Sequence, residues 1–354
     1  MSSVRQVAKE ARVSPATVSR TLNNPAIVSR ELRDRVMSAV QRVGYEVPTR
    51  TVQLDRIGVV YTGMPVHSEF GGFDAAILSA AAQASIEDRY DSVIVSLEAQ
   101  KTEGTSYTEF FKSLGIRGAV IRSNAEDRSA CEQIAEEGFP AVVIGDHFDN
   151  PAVNFVSYDS TDDSKRAVQH LIDLGHRRIA LCVHVVHDSD HDERRNAYLE
   201  VLADRGIEHD PELTIEVVAD ADGGAAAVSR LLSLPEPPTA VFFTDPLSTA
   251  GGIRRALEIG VKIPEELSIV GFDDGALRKL TYPPYTAVCQ DASRLARIAT
   301  KWLTAKLRGT ASSADLRLRN RTFFEVNRTT DAAPERAVRV SPGGTRLGLK
   351  GAIA

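Results

Sequence analysis

The chain has 354 residues, 43% of them hydrophobic and 25% charged, with a net charge of −6. That composition is globular, excludes a disordered chain and is long enough for two or three domains. No apolar run reaches the length of a membrane span. The three cysteines make no disulfide framework, and "MSSVRQVAKEAR" at the start lacks the apolar core of a signal peptide. No membrane partner and a cytoplasmic address are therefore expected.

Charge is unevenly spread. Residues 1–56 carry ten Lys/Arg and five Asp/Glu, a balance of +5, and the remainder carries −11. A basic head on an acidic body is the asymmetry of a chain whose one module touches phosphates. Ser3 with Gln6 three positions on is a capping box opening a first helix, whose apolar stripe is Val4, Val7, Ala8 and Ala11. Ser14 and Pro15 read as N-cap and first residue of a second helix with Val18 and Leu22 inward; "NNP" at 23–25 ends it. Ser29 caps a third helix, with Leu32, Val36, Val40 and Val43 inward and Gly44 at its end. Two short helices, a tight turn and a longer supporting helix make a helix-turn-helix unit, whose second helix enters the major groove. Its outer face holds Ala16, Thr17 and Arg20, with Ser19 beside them. Arg20 suits guanine O6 and N7, Thr17 and Ser19 suit phosphates or base edges, and Ala16 suits a thymine methyl. The same spacing also occurs in bundles that bind nothing.

From residue 57 short apolar runs alternate with helical patterns: "RIGVVYT", "DSVIVSL", "RGAVIRS" and "PAVVIGD", then "RRIALCV", "TIEVVAD", "PTAVFFT" and "LSIVGFD". Continuous apolar strands between helices imply parallel sheets covered on both faces, here as two similar α/β subdomains. Ligands of such sheets bind beyond the carboxyl ends of the strands, and a cleft between two subdomains suits a small molecule.

"VRQVAKEARVSPATVSRTLNNPAIVSRELRDRVMSAVQRVGYEVP" resembles the DNA-binding head of the LacI/GalR family of bacterial transcription regulators. The resemblance continues through "HLIDLGHRRIAL", "IPEELSIVGFDD", "YPPYTAVCQD" and "NRTT", covering residues 3–330. It implies an α/β fold: a helix-turn-helix three-helix head plus a two-subdomain body with parallel sheets, like the periplasmic sugar-binding proteins. The domains expected are 1–48 for the head, 49–56 for a short hinge, 57–330 for ligand binding and dimerisation, and 331–354 for a disordered tail. The partners implied are double-stranded operator DNA, a small-molecule effector and a second copy of the chain, with a tetramer also open. Ser14, Pro15, Ala16, Thr17, Ser19, Arg20, Asn23 and Ser29 are implied to contact DNA, with Leu54 as the only plausible minor-groove wedge. The effector contacts implied are Phe73, Asp146, Asp159, Arg194, Tyr198, Thr244, Asp245 and Asp273. Arg194 and Asp273 lead that set, because a guanidinium fork and a carboxylate both suit vicinal hydroxyls.

Some segments depart from the family. "YEVPTRTVQLDRIG" reaches the first strand too soon for the usual hinge, and "DADGG" at 220–224 lacks the aromatic that many members stack on a sugar. "HVVHDSDHDE" at 184–193 reads as one crowded loop; its His184, His187 and His191 match no common metal spacing, and pH sensing or a polar, even cationic, ligand is the other reading. No cofactor is implied. The function expected is a sequence-specific regulator, a repressor controlled by a sugar or related metabolite. Corepression, and a free solute-binding protein, stand as alternatives. No nucleophile sits at readable spacing from a base, so no enzyme is expected.

Overall fold

The computed structural model describes residues 3–23, 28–45, 55–63, 72–123, 127–185, 189–310, 315–341 and 343–347. They form two compact units that divide between Leu54 and Asp55.

The head is three helices, α1 (Val4–Ala11), α2 (Pro15–Asn23) and α3 (Arg30–Val43). Each start is set by a serine: Ser3 and Gln6 close the reciprocal capping box, the Thr17 N–H donates to Ser14 Oγ at 3.0 Å, and the Leu32 N–H to Ser29 Oγ at 3.3 Å. Gly44 ends α3 in the left-handed conformation. Val7, Ala8, Ala11, Val18, Val36, Ala39 and Val40 form the core, edged by Leu22, Leu32 and Tyr45. Leu54, with the rest of residues 46–54, lies outside the described residues.

The body holds two six-stranded sheets of one design. In chain order, lobe 1 has β1 (Asp55–Tyr61), β2 (Tyr90–Ser96), β3 (Ile116–Arg122), β4 (Ala141–Ile144) and β5 (Phe155–Asp159), with helices α4 (Gly72–Glu87), α5 (Leu97–Gln100), α6 (Tyr107–Ser113) and α7 (Arg128–Glu136). Lobe 2 has α8 (Thr161–Asp173), β6 (Ile179–His184), α9 (Ser189–Asp204), β7 (Thr214–Val217), α10 (Ala221–Leu232), β8 (Ala240–Phe243), α11 (Pro246–Glu258), β9 (Ser268–Asp273), α12 (Leu277–Leu280) and β10 (Thr286–Cys289). The chain then returns to lobe 1 for α13 (Ala292–Leu307) and β11 (Arg317–Arg321), and crosses again to lobe 2 for β12 (Phe323–Glu325). Strand orders are β11-β5-β4-β3-β1-β2 and β12-β10-β9-β8-β6-β7. All pairings are parallel except β12 against β10. Each sheet is buried on both faces, so each lobe has two apolar layers, as the continuous apolar strands require.

Three expectations are corrected. Residues 331–341 and 343–347 do not form a free tail: Val338 and Val340 are buried in the lobe 2 core, the Val340 N–H donates to the Leu232 carbonyl at 2.8 Å, and Arg346 pairs with Glu266. This strap lies along α10 and α11. The body begins at Asp55, because β1 pairs with β2 from that residue. Residues 189–193 are not loop but the first turn of α9.

Glycines at "DADGG" have a packing reason. A Cβ on Gly224 would stand 1.9 Å from the Ser248 carbonyl oxygen, and one on Gly251 1.9 Å from that of Ala221. Helices α10 and α11 therefore cross backbone to backbone, and no side chain fits at Gly224 or Gly251.

Candidate functional site

On the head, the face of α2 opposite the core is open. Ser14, Pro15, Ala16, Ser19 and Arg20 are exposed, while Thr17 is half-buried with its hydroxyl 2.8 Å from Ser14 Oγ. Ser29 is exposed at the start of α3. Asn23 ends α2, and its side chain lies outside the described part. Two serine-capped helix N-termini and one guanidinium on a solvent face offer N–H donors and positive charge, the chemistry that phosphates and base edges take.

In the body, the carboxyl ends of both sheets meet at a cleft crossed by three passages of the chain, at 159–161, 289–292 and 321–323. Arg194, on α9, is only 4% exposed. Its Nη1 donates to the Thr244 carbonyl at 2.8 Å, its Nη2 lies 3.6 Å from Asp190, and its guanidinium stacks 3.6 Å from the Phe272 ring centroid. Three elements thus fix one guanidinium at the end of β8. Its Nε has no hydrogen-bond partner among the described residues.

Asp245 and Asp274 sit just past the ends of the adjacent strands β8 and β9. Asp245 caps α11, its Oδ1 accepting from the N–H groups of Leu247 (2.8 Å) and Ser248 (2.9 Å). Burial raises its pKa against the pull of those N–H groups and of His191 and Arg194. Asp274 accepts from Gln290 Nε2 at 2.6 Å; burial and then the Asp245 charge push it up to about 7.

Other expected contacts are committed elsewhere. Asp273 is fully buried, paired with Arg278 and 3.5 Å from the Tyr285 hydroxyl, while Arg278 also holds Glu325 at 2.8 Å. Its carboxylate is engaged within lobe 2, whereas the next acid, Asp274, bonds to Gln290 past the strand ends. Tyr198 is fully buried and donates to the Ile179 carbonyl at 2.8 Å, so it belongs to the core. Thr244 is also fully buried, its hydroxyl donating to the Cys182 carbonyl at 3.2 Å; only its own carbonyl, which holds Arg194, serves the site.

Lobe 1 contributes paired groups. Asp146 is 1% exposed and accepts from Arg128, from Ser123 Oγ at 3.3 Å and, across the cleft, from Ser189 Oγ at 2.6 Å. Asp159 accepts the Thr161 N–H at 3.1 Å and lies 3.5 Å from Arg319, which reaches Glu193 of lobe 2 at 2.6 Å. Phe73 is half-buried, with Arg122 5.0 Å above its ring.

Sequence reasoning did not assign Gln290, Asp190, Glu193 or Arg319 to the cleft. The strand-end position of "CQD" after β10 could have found Gln290, since strand ends mark the cleft; the other three depend on tertiary pairing. The His184 and His191 rings are 5.3 Å apart. His187 lies outside the described residues, and among those described no group of three or more His, Cys, Asp or Glu could hold a metal. No helix among them is long and apolar enough to cross a membrane.

Comparison with known proteins gives two domain matches. Residues 3–47 match "Bacterial regulatory proteins, lacI family", and residues 168–324 match "Periplasmic binding protein-like domain". The chain is 26% identical over 311 residues to the ribose operon repressor of Haemophilus influenzae, covering 87% of this chain and 92% of that one. Among solved structures, a CelR–cellobiose complex is similar at TM-score 0.63 and 27% identity, over 92% of this chain and 99% of that one. The lac repressor dimer bound to operator shares the fold at TM-score 0.67 and 23% identity, over 93% of this chain and 99% of that one.

Proposed function

The chain belongs to the lacI family of bacterial transcription regulators, and on that premise we propose that it is a repressor whose hold on its operator is set by a small polar effector in the interlobe cleft. The observation that carries this reading is the capped α2, with one face in the head core and Ala16, Ser19 and Arg20 on the other. Pro15, Ala16, Thr17, Ser19 and Arg20 read base edges, while Ser14 and Ser29, with the helix N-termini they cap, hold phosphates.

The relatives named for ribose and found with cellobiose support a polyhydroxylated effector. Arg194, Asp245, Asp274 and Gln290 provide donors and acceptors at the strand ends, as such a ligand requires. The effector acts through different affinity for two arrangements of the lobes, which is the only way binding can shift them. The chain works as a homodimer on a near-palindromic site. In support, Leu280 and Tyr282 stand 79% and 85% exposed near one another in sequence, large apolar side chains suited to a mating surface. Operator DNA as partner places it in the cytoplasm.

The test is binding of the purified chain to its own upstream DNA across a salt series. A steep salt dependence with a defined footprint is expected, and Arg20→Ala should lose about 1–3 kcal/mol of discrimination at one base position. Weak binding that is blind to sequence sinks the reading. Sedimentation of the free protein reports the dimer.

A further inference from the structure

The wall that lobe 2 gives the cleft holds two carboxylates without a salt-bridge partner among the described residues. Asp245 spends Oδ1 on the α11 N-terminus, and Asp274 has only the Gln290 amide. The nearby guanidinium of Arg194 is matched by Asp190 and fixed to the Thr244 carbonyl, so it leaves the two acids in excess. His191 also lies close enough to favour ionised Asp245. Asp273 is held inside lobe 2 by Arg278, which it shares with Glu325, so it brings no cation to this corner.

A second observation points to a ligand. Gln290 is 6% exposed, its amide is anchored at Asp274 through Nε2, and its Oε1 has no hydrogen-bond partner among the described residues. An acceptor buried to that degree and left unpaired is destabilising, so this corner is short of hydrogen-bond donors and of positive charge together.

We propose that the effector is a polyhydroxylated amine, cationic at neutral pH, whose ammonium group sits against Asp245 and Asp274 while Gln290 Oε1 accepts one of its N–H or O–H donors. This rests on reading the cleft as the effector site. An ammonium offers three donors and a charge, and two carboxylates with a carbonyl oxygen are its complement. A carboxylate or phosphate ligand would meet like charge there, and the guanidiniums described nearby, Arg194 and Arg278, are already paired. Burial and Asp245 hold Asp274 up to about 7, so a bound cation would draw its proton off.

The experiment is thermal denaturation of the full chain with matched sugars: glucose, glucosamine and glucuronate, then galactose, galactosamine and galacturonate. Calorimetry of any stabilising compound follows, at pH 7 in two buffers of different ionisation heat. The expected result is stabilisation by an amino sugar alone, with proton release on binding. Asp274→Asn should then weaken its affinity tenfold or more, and Asp245→Asn should do the same if the first variant fails to fold. Stabilisation by the neutral or carboxylate sugars at least as great as by the amines overturns the proposal and leaves the cleft reading standing. So does unchanged amine affinity in both variants. A panel in which nothing stabilises the protein overturns the proposal together with the cleft reading beneath it.

Discussion

The two lobes of the body have the same strand order but face each other with different electrostatics. Lobe 1 brings acids already answered: Asp74 by Arg122 at 3.4 Å, Asp146 by Arg128, and Asp159 by Arg319. Lobe 2 brings Asp245 and Asp274 without a salt-bridge partner among the described residues, and keeps the neighbouring acid, Asp273, in the interior against Arg278. The difference teaches that shared topology fixes where a cleft lies but not what it binds. Among the described residues, these acids of lobe 1 have a cationic partner without a ligand, and Asp245 and Asp274 of lobe 2 do not. The packing differs in the same direction. Lobe 2 relies on a glycine crossing of helices and a terminal strap, and lobe 1 has neither among the described residues.

The sharpest way to break the comparison is at the helix crossing. Gly251→Val drives a side chain into the Ala221 carbonyl and should cost more than about 4 kcal/mol, read as loss of cooperative urea unfolding or of soluble protein. Gly118→Ala in lobe 1 meets the movable Leu303 Cδ1 at 2.9 Å and should cost about 1–3 kcal/mol. Next comes the buried pair. Arg278→Ala strands Asp273 and should cost about 3–5 kcal/mol, whereas Arg122→Ala, breaking a partly exposed pair, should cost about 1 kcal/mol or less by the same denaturant titration. Equal losses would erase the contrast between the lobes. Removing residues 331–354 exposes lobe 2 where Val338 and Val340 packed and should cost about 3 kcal/mol, with hydrogen-exchange protection falling in α10 and α11 but not in α4.

The last effect carries a sign. Asp274 has an ordinary value of 3.8 and is held near about 7 in the folded protein. The folded state therefore binds the extra proton between those values, and this group's contribution to stability falls as pH rises through that window. Asp274→Asn should raise the melting temperature at pH 8 and leave it unchanged at pH 4. A gain of the opposite pH dependence would mean that Asp274 is paired after all.

Much of this was legible from residue types and spacing. Ser3, Ser14 and Ser29 marked three helix starts, because capping is local and depends on neighbours a few positions away. Eight apolar runs marked eight strands, because burial on both faces leaves no polar alternation. The polar "RLRNR" of β11 and the short β10 and β12 carried no such signal, since their places come from partners far along the chain. At the site, Asp245 stands just past the end of β8 and the Arg194 guanidinium reaches the same place from α9, but the direction of a side chain at a strand end depends on what else is near. Asp273 turns inward because Arg278 and Tyr285 are there to receive it, and Tyr198 because the Ile179 carbonyl is. Nothing in "GFDD" tells which aspartate has such a partner.

The three passages of chain between the lobes have a consequence for heredity. Neither lobe is a continuous stretch of sequence: lobe 1 needs 55–159 together with α13 and β11, and lobe 2 needs the segment between them together with β12. No single cut in the gene can lift out one lobe whole or graft in another. The two walls of the cleft are thus inherited as a pair, and a new ligand must be acquired by point changes at strand ends rather than by exchange of a half.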